Sequence, residues 1–271
     1  MHDNLVTLQQ GVGPGVVFVH PGSGLATAFR RLVPHLSGAG DVYAYENPEP
    51  SGEPCSIAEL AADYWRQLSG VALGPLAFVG WSFGGAVATD LAALAEQAGQ
   101  HVTCVLLLDA AAPSLLRSST ASPLIGLGGL FGIEPSELEG VVANSEAQIL
   151  EALITVLRRT RGPQPIAAAD LKPFVEAYQW HQAAARRPWV PRLHRAPAYL
   201  CRARDERGWD DSPMDLGWGD ACPVPPALRW VPGNHHTMMS EENAPELAQL
   251  VSSLISQGRH DGTFSVGAGP A

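Results

Sequence analysis

Ser82 stands within Gly80-Trp81-Ser82-Phe83-Gly84-Gly85, directly after the apolar run Leu76-Ala77-Phe78-Val79 and ahead of a long apolar stretch at 86–95. That order predicts a strand, a sharp turn and a helix. Only glycine-flanked backbone turns so tightly, so a serine at the apex projects from the sheet edge with its hydroxyl accessible, an arrangement known as a nucleophile elbow. Nucleophilic attack through a covalent intermediate is the chemistry open to it. In a chain with 28 glycines the Gly-x-Ser-x-Gly pattern alone is weak, and an exposed serine on a glycine-rich turn is the plain alternative. The flanking strand and helix give the pattern its weight.

A serine hydroxyl is a poor nucleophile near neutral pH and needs a base within hydrogen-bond reach, itself oriented by a third group. Asp109 ends the apolar run Val105-Leu106-Leu107-Leu108, which places it at the carboxyl edge of the neighbouring strand. A carboxylate there costs free energy unless it is paired, although capping the turn after it would also satisfy it. The base comes from Gly233-Asn234-His235-His236-Thr237-Met238-Met239, a strand end followed by a turn. Spacing leaves His235 and His236 both open. Serine, aspartate and histidine follow in the chain order of the α/β-hydrolases.

The elements that must position these groups read as short buried strands at 16–19, 42–45, 76–79, 105–108, 198–201 and 228–231, separated by helical patterns. Ser56-Ile57-Ala58-Glu59 opens one helix as a capping box; others are expected over 83–98 and 244–256. The alternation predicts an α/β fold with a mostly parallel central sheet flanked by helices. It fails over about 113–191. There the chain offers a glycine-rich apolar loop at 124–132 and amphipathic helices at 145–159 and 170–187. Ligands of α/β sheets bind beyond the carboxyl ends of the strands, so this insertion is expected to cover Ser82 as a helical lid. Residues 1–256 are read as one domain containing the lid, and 257–271 as a flexible tail.

A net charge of −10 argues against nucleic acid or an anionic membrane as partner. Cys55, Cys104, Cys201 and Cys222 lack C-x-x-C spacing, which favours free thiols over disulfides or a metal site. Residues 1–10 carry neither a positive region nor a continuous apolar core, and no apolar run reaches the length of a membrane span. The expected setting is cytoplasmic. Trp81, Trp180 and Trp189 suggest an apolar cavity, although tryptophan at such places often only packs.

Together, His20-Pro21-Gly22-Ser23-Gly24, the Ser82 elbow, Leu108-Asp109 and the motif containing His235 resemble the thioesterase domains of nonribosomal peptide synthetases and polyketide synthases. The resemblance runs from about residue 16 to 254, with the lid matching only in position and helical character. It implies an α/β-hydrolase fold. By the family pattern the base is His235, with His236 in the variable place, and the acid is Asp109; Asp205, after the next strand, is the competitor used by many other α/β-hydrolases. Ser82 and these two would form a catalytic triad. The backbone N–H groups of Phe83 and Ser23 would hold the oxyanion, the latter brought in by the glycine-rich turn after the first core strand. That turn lacks the nucleotide-binding glycine patterns.

The implied reaction transfers an acyl or peptidyl chain from the phosphopantetheine thioester of a carrier protein to Ser82. Release follows by hydrolysis or macrocyclisation, with no cofactor or metal of the domain's own. Trp81 and Phe83 stand where discrete proofreading thioesterases tend to carry His and Met, which points to the product-releasing kind. A stand-alone ester or lipid hydrolase with the same triad, and a non-catalytic binding module on this fold, are the alternatives.

Overall fold

The apolar runs become the strands of a single seven-stranded sheet in the computed structural model, which describes residues 4–261 apart from 48, 72–73, 119–122, 144, 163–164, 193 and 206–211. The strands are β1 (Leu5–Gln9), β2 (Gly15–Val19), β3 (Val42–Tyr45), β4 (Leu76–Trp81), β5 (Val102–Leu108), β6 (Ala198–Ala203) and β7 (Ala227–Val231). Across the sheet they lie in the order β1-β3-β2-β4-β5-β6-β7. All neighbours are parallel except β1, which runs antiparallel to β3.

Every residue of β2, β3, β4 and β5 is buried, as parallel strands covered on both faces require. Alternate residues serve two core layers. Val17, Val19, Tyr43 and Phe78 pack with α1 (Ile57–Leu68) and α2 (Gly84–Gln97). Val16, Phe18, Val42 and Val79 pack with α8 (Ala244–Asp261). The capping box of α1 forms: Ser56 Oγ accepts from the Glu59 N–H at 3.2 Å, and the Glu59 carboxylate accepts from the Ser56 N–H at 2.8 Å.

Between β5 and β6 the chain inserts α3 (Pro113–Ser118), α4 (Pro123–Leu130), α5 (Glu146–Arg161) and α6 (Ala168–Arg186). These build a third core of their own, with Leu127, Ile133, Leu153, Leu157 and Val175 at its centre. The returning chain is pinned to α2: Asp90 accepts from the Arg192 N–H at 3.0 Å, and Glu96 from the N–H groups of Arg195 and Ala196. A single turn, α7 (Trp218–Ala221), precedes β7.

Two sequence expectations need correction, and one strand escaped the sequence reading. The stretch at 124–132, expected as a loop, is helical through Leu130. Its glycines suit close approach rather than turning: a Cβ on Gly126 would overlap the Tyr178 hydroxyl, and one on Gly129 the His236 ring. Strand β1 was not anticipated, because a half-covered edge strand carries no continuous apolar run. Helix α8 continues to Asp261, so the first five residues of the expected tail are helical; 262–271 lie outside the described residues.

Candidate active site

Gly80 and Gly84 make the turn at Ser82 possible. A Cβ on Gly80 would overlap the backbone of Gly84, and one on Gly84 would overlap the carbonyl of Val19, so β2, β4 and the start of α2 pack backbone to backbone. Ser82 itself sits at φ +54°, a conformation that side chains rarely adopt. Its N–H donates to the Leu108 carbonyl at 3.0 Å, which ties the elbow to the end of β5. One residue further, Asp109 is likewise at φ +43° and is 1% exposed.

The Asp109 carboxylate faces the loop after β7. Its Oδ2 lies 2.7 Å from His235 Nδ1, and its Oδ1 accepts the Ala203 N–H at 3.3 Å. A carboxylate only accepts here, so it fixes His235 as the Nδ1–H tautomer and leaves Nε2 with a lone pair. Asp205 is exposed, and its N–H donates to the Gly233 carbonyl at 2.9 Å. The competitor expected from sequence therefore does not reach the imidazole.

His235 rides on a braced turn. Asn234 Oδ1 accepts from the N–H groups of His236 (3.0 Å) and Thr237 (2.8 Å), and Asn243 Nδ2 donates to the Thr237 carbonyl at 2.9 Å. Ser82, Ser23, His235 and His236 line one cavity of about 30 Å³, roofed by Gly126 and Leu130 of α4 and Tyr178 of α6. That is room for one or two waters. The N–H groups of Ser23 and Phe83 have no hydrogen-bond partner among the described residues, and both residues are 3% exposed. Buried unpaired donors beside a serine are what a developing oxyanion needs.

A family model, "Thioesterase domain", matches residues 14–255. The chain belongs to the thioesterase domain family. It is 29% identical over 157 residues to the dimodular nonribosomal peptide synthase of Bacillus subtilis (strain 168), a match covering 55% of this chain and 6% of that one. It is 34% identical over 128 residues to the non-reducing polyketide synthase ntnG of a Nectria species, covering 44% of this chain and 6% of that protein. The thioesterase domain thus spans a small fraction of the curated relatives it matches. Among solved structures, the NocB thioesterase domain, in covalent complex with a fluorophosphonate nocardicin G analog, superposes with a TM-score of 0.66 at 24% identity, over 93% of this chain and 99% of that one. The four-domain nonribosomal peptide synthetase holo-AB3403 gives 0.74 at 22% identity, over 93% of this chain and 20% of that one. Both likenesses concern the fold.

Within this thioesterase domain, Trp81 does more than pack. Its indole N–H donates to the His235 carbonyl at 3.1 Å, and its ring lies 5.9 Å from the His235 ring. Trp81→Phe keeps the ring and deletes the donor; with His235 as the expected base, it is predicted to lower kcat about tenfold with little change in KM, since a hydrogen bond that only orients a base acts on the chemical step. Steady-state kinetics would show it, and an unchanged kcat would reduce Trp81 to packing. Trp180 and Trp189 do not line the cavity: one donates to the Gly52 carbonyl, and the other meets Trp218 edge-on.

Sequence reasoning also missed a buried histidine pair beneath the glycine-rich turn. His20, after β2, and His181, in α6, are both fully buried with ring centroids 4.7 Å apart. Burial pushes His20 down to about 4 and, with His20 close by, His181 to about 3. Both fold as neutral imidazoles, so the unfolded chain binds protons first as pH falls. Stability is fully present above the ordinary value of 6.5 and is lost as pH drops toward about 4, where His20 alone accounts for about 3 kcal/mol. Thermal unfolding midpoints are expected to fall steadily across that window. A midpoint that stays level there would contradict the buried neutral pair.

Proposed function

We propose that this domain releases an acyl or peptidyl chain from the phosphopantetheine thioester of a carrier protein, through an ester on Ser82, in nonribosomal peptide or polyketide biosynthesis. His235 Nε2 takes the Ser82 proton as Oγ attacks the thioester carbonyl, and Asp109 holds the imidazole and stabilises its charged form. The tetrahedral oxyanion is held by the N–H groups of Phe83 and Ser23 until the thiolate leaves. A thiol's ordinary pKa near 8.5 makes that departure easy. His235 then activates water, giving the free acid, or a nucleophile of the acyl chain itself, giving a macrocycle. The domain supplies no cofactor of its own to these steps.

The observation that carries the reading is the 2.7 Å contact between His235 Nδ1 and buried Asp109, beside an elbow serine in the same cavity. Residues 113–191 act as the lid. The cavity beneath it is too small for an acyl chain, and although the insertion has a core of its own, the end of α6 is anchored through Ala184 and Ala185 in the core shared with the sheet. Free cysteines at all four positions accord with a cytoplasmic setting. No helix among the described residues is long and apolar enough to cross a membrane.

The test offers matched acyl and peptidyl thioesters and oxygen esters of small thiols and alcohols, with products weighed by mass spectrometry. Faster turnover of the thioesters, together with an acyl adduct on Ser82, is the expected result. A clear preference for oxygen esters would replace the thioesterase reading with that of a plain ester hydrolase.

A further inference from the structure

The two carbonyls that precede Ser23 each face an imidazole. His20 Nδ1 lies 2.8 Å from the Pro21 carbonyl, and His181 Nδ1 lies 2.9 Å from the Gly22 carbonyl. A carbonyl only accepts, so both rings carry their proton on Nδ1. Each Nε2 is then left to accept: His20 from the Tyr64 hydroxyl at 2.6 Å, and His181 from Asn47 Nδ2 at 3.3 Å. Tyr64 is buried in turn, its carbonyl taking the Tyr45 hydroxyl. All four ring nitrogens of the pair thus have a partner.

The Gly22 carbonyl and the Ser23 N–H belong to one planar trans peptide, so fixing the direction of the first fixes that of the second, on the opposite side. The bond that fixes it comes from a different part of the molecule. His181 lies on α6, within the insertion, whereas the turn extends β2 of the sheet. Tyr178, one helical turn earlier on α6, packs so close to Gly22 that a Cβ there would lie 3.1 Å from its ring. The same α6 therefore both roofs the cavity and grips the peptide beneath it.

We infer that His181 is a positioning residue that aims the Ser23 N–H at the oxyanion from the lid, so that the oxyanion hole is complete only when α6 is seated. This rests on the reading of Ser23 as an oxyanion donor. Because the cavity of about 30 Å³ must open to admit substrate, lifting α6 withdraws His181 and frees the Gly22–Ser23 peptide. Reseating α6 over a bound chain restores the donor. Catalytic power is thereby tied to closure over substrate.

The experiment compares three variants of the full chain acting on a small-thiol acyl thioester. His181→Leu and His181→Asn have nearly the same shape, but only Asn offers an N–H in place of Nδ1. His181→Leu is expected to lose about tenfold or more in kcat with KM held within about twofold, and His181→Asn to stay within about threefold of the parent. Equal losses in the two would reduce His181 to packing and overturn the inference, as would full activity in His181→Leu. If the Leu variant fails to fold, His181→Gln, which has no donor at the Nδ1 position, takes its place under the same criteria. Ser23→Pro deletes the donor itself and so tests the underlying reading. Unchanged kcat in Ser23→Pro removes Ser23 from the oxyanion hole, whereas a large loss there beside an active His181→Leu sinks only the latch.

Discussion

Replacing Ser82 by alanine is expected to lower thioester turnover by about 10⁴-fold or more while leaving the fold intact. On the proposed mechanism no acyl-enzyme forms without the hydroxyl, and only binding and the proposed oxyanion donors remain to favour direct attack by water. The backbone sharpens the test. Ser82 is held at φ +54°, so Ser82→Gly relieves strain and is expected to raise stability by about 1 kcal/mol while abolishing activity. Gain of stability with loss of function is the signature of a strained catalytic elbow. Thiol release, thermal unfolding and mass-spectrometric detection of fluorophosphonate labelling would read all three effects. Labelling that persists in Ser82→Ala would place the nucleophile elsewhere.

Asp109→Asn is expected to cost about 10⁴-fold in kcat, and Asp205→Ala almost nothing. Asparagine matches the shape of aspartate and tolerates the positive φ of +43° found at Asp109, so the variant should fold. The loss comes from chemistry. An amide N–H facing His235 Nδ1 favours the tautomer whose lone pair points away from Ser82, and the charge that stabilises the imidazolium is gone. Because Asp109 Oδ1 also accepts the Ala203 N–H, Asp109→Ala would add a structural penalty that the Asn variant avoids. Substantial activity in Asp109→Asn, or a large loss in Asp205→Ala, would move the acid to the later strand.

Ser82 and Asp109 were each visible in the linear sequence, but the partner of Asp109 was not. The Ser82 elbow was legible because glycine is the only residue that allows backbones to meet as they do at Gly80 and Gly84, and because strand and helix periodicities change on either side of it. Asp109 was legible as a carboxylate at the end of a buried strand. What spacing left open was which carboxylate meets which imidazole, since His235 and His236 are adjacent, and Asp109 and Asp205 end neighbouring strands. The turn braced by Asn234, Thr237 and Asn243 decides it by presenting His235 to Asp109. The glycines at 126 and 129 misled for a related reason. Glycine marks close approach as readily as it marks a turn, and the partners Tyr178 and His236 lie far along the chain.

The parallel strands β2 to β7, the helices that flank them, the elbow serine and the position of the insertion could be read along the chain, because these follow from local periodicity, caps and turns; the edge strand β1 and helix α4 could not. That Trp81 braces the His235 backbone, that His20 and His181 are buried together, and that α6 reaches the peptide before Ser23 emerge with the folded chain alone. Hydrogen bonds between residues some 150 positions apart have no local pattern. They exist only once the sheet has brought its strand ends to one rim and the insertion has folded over them.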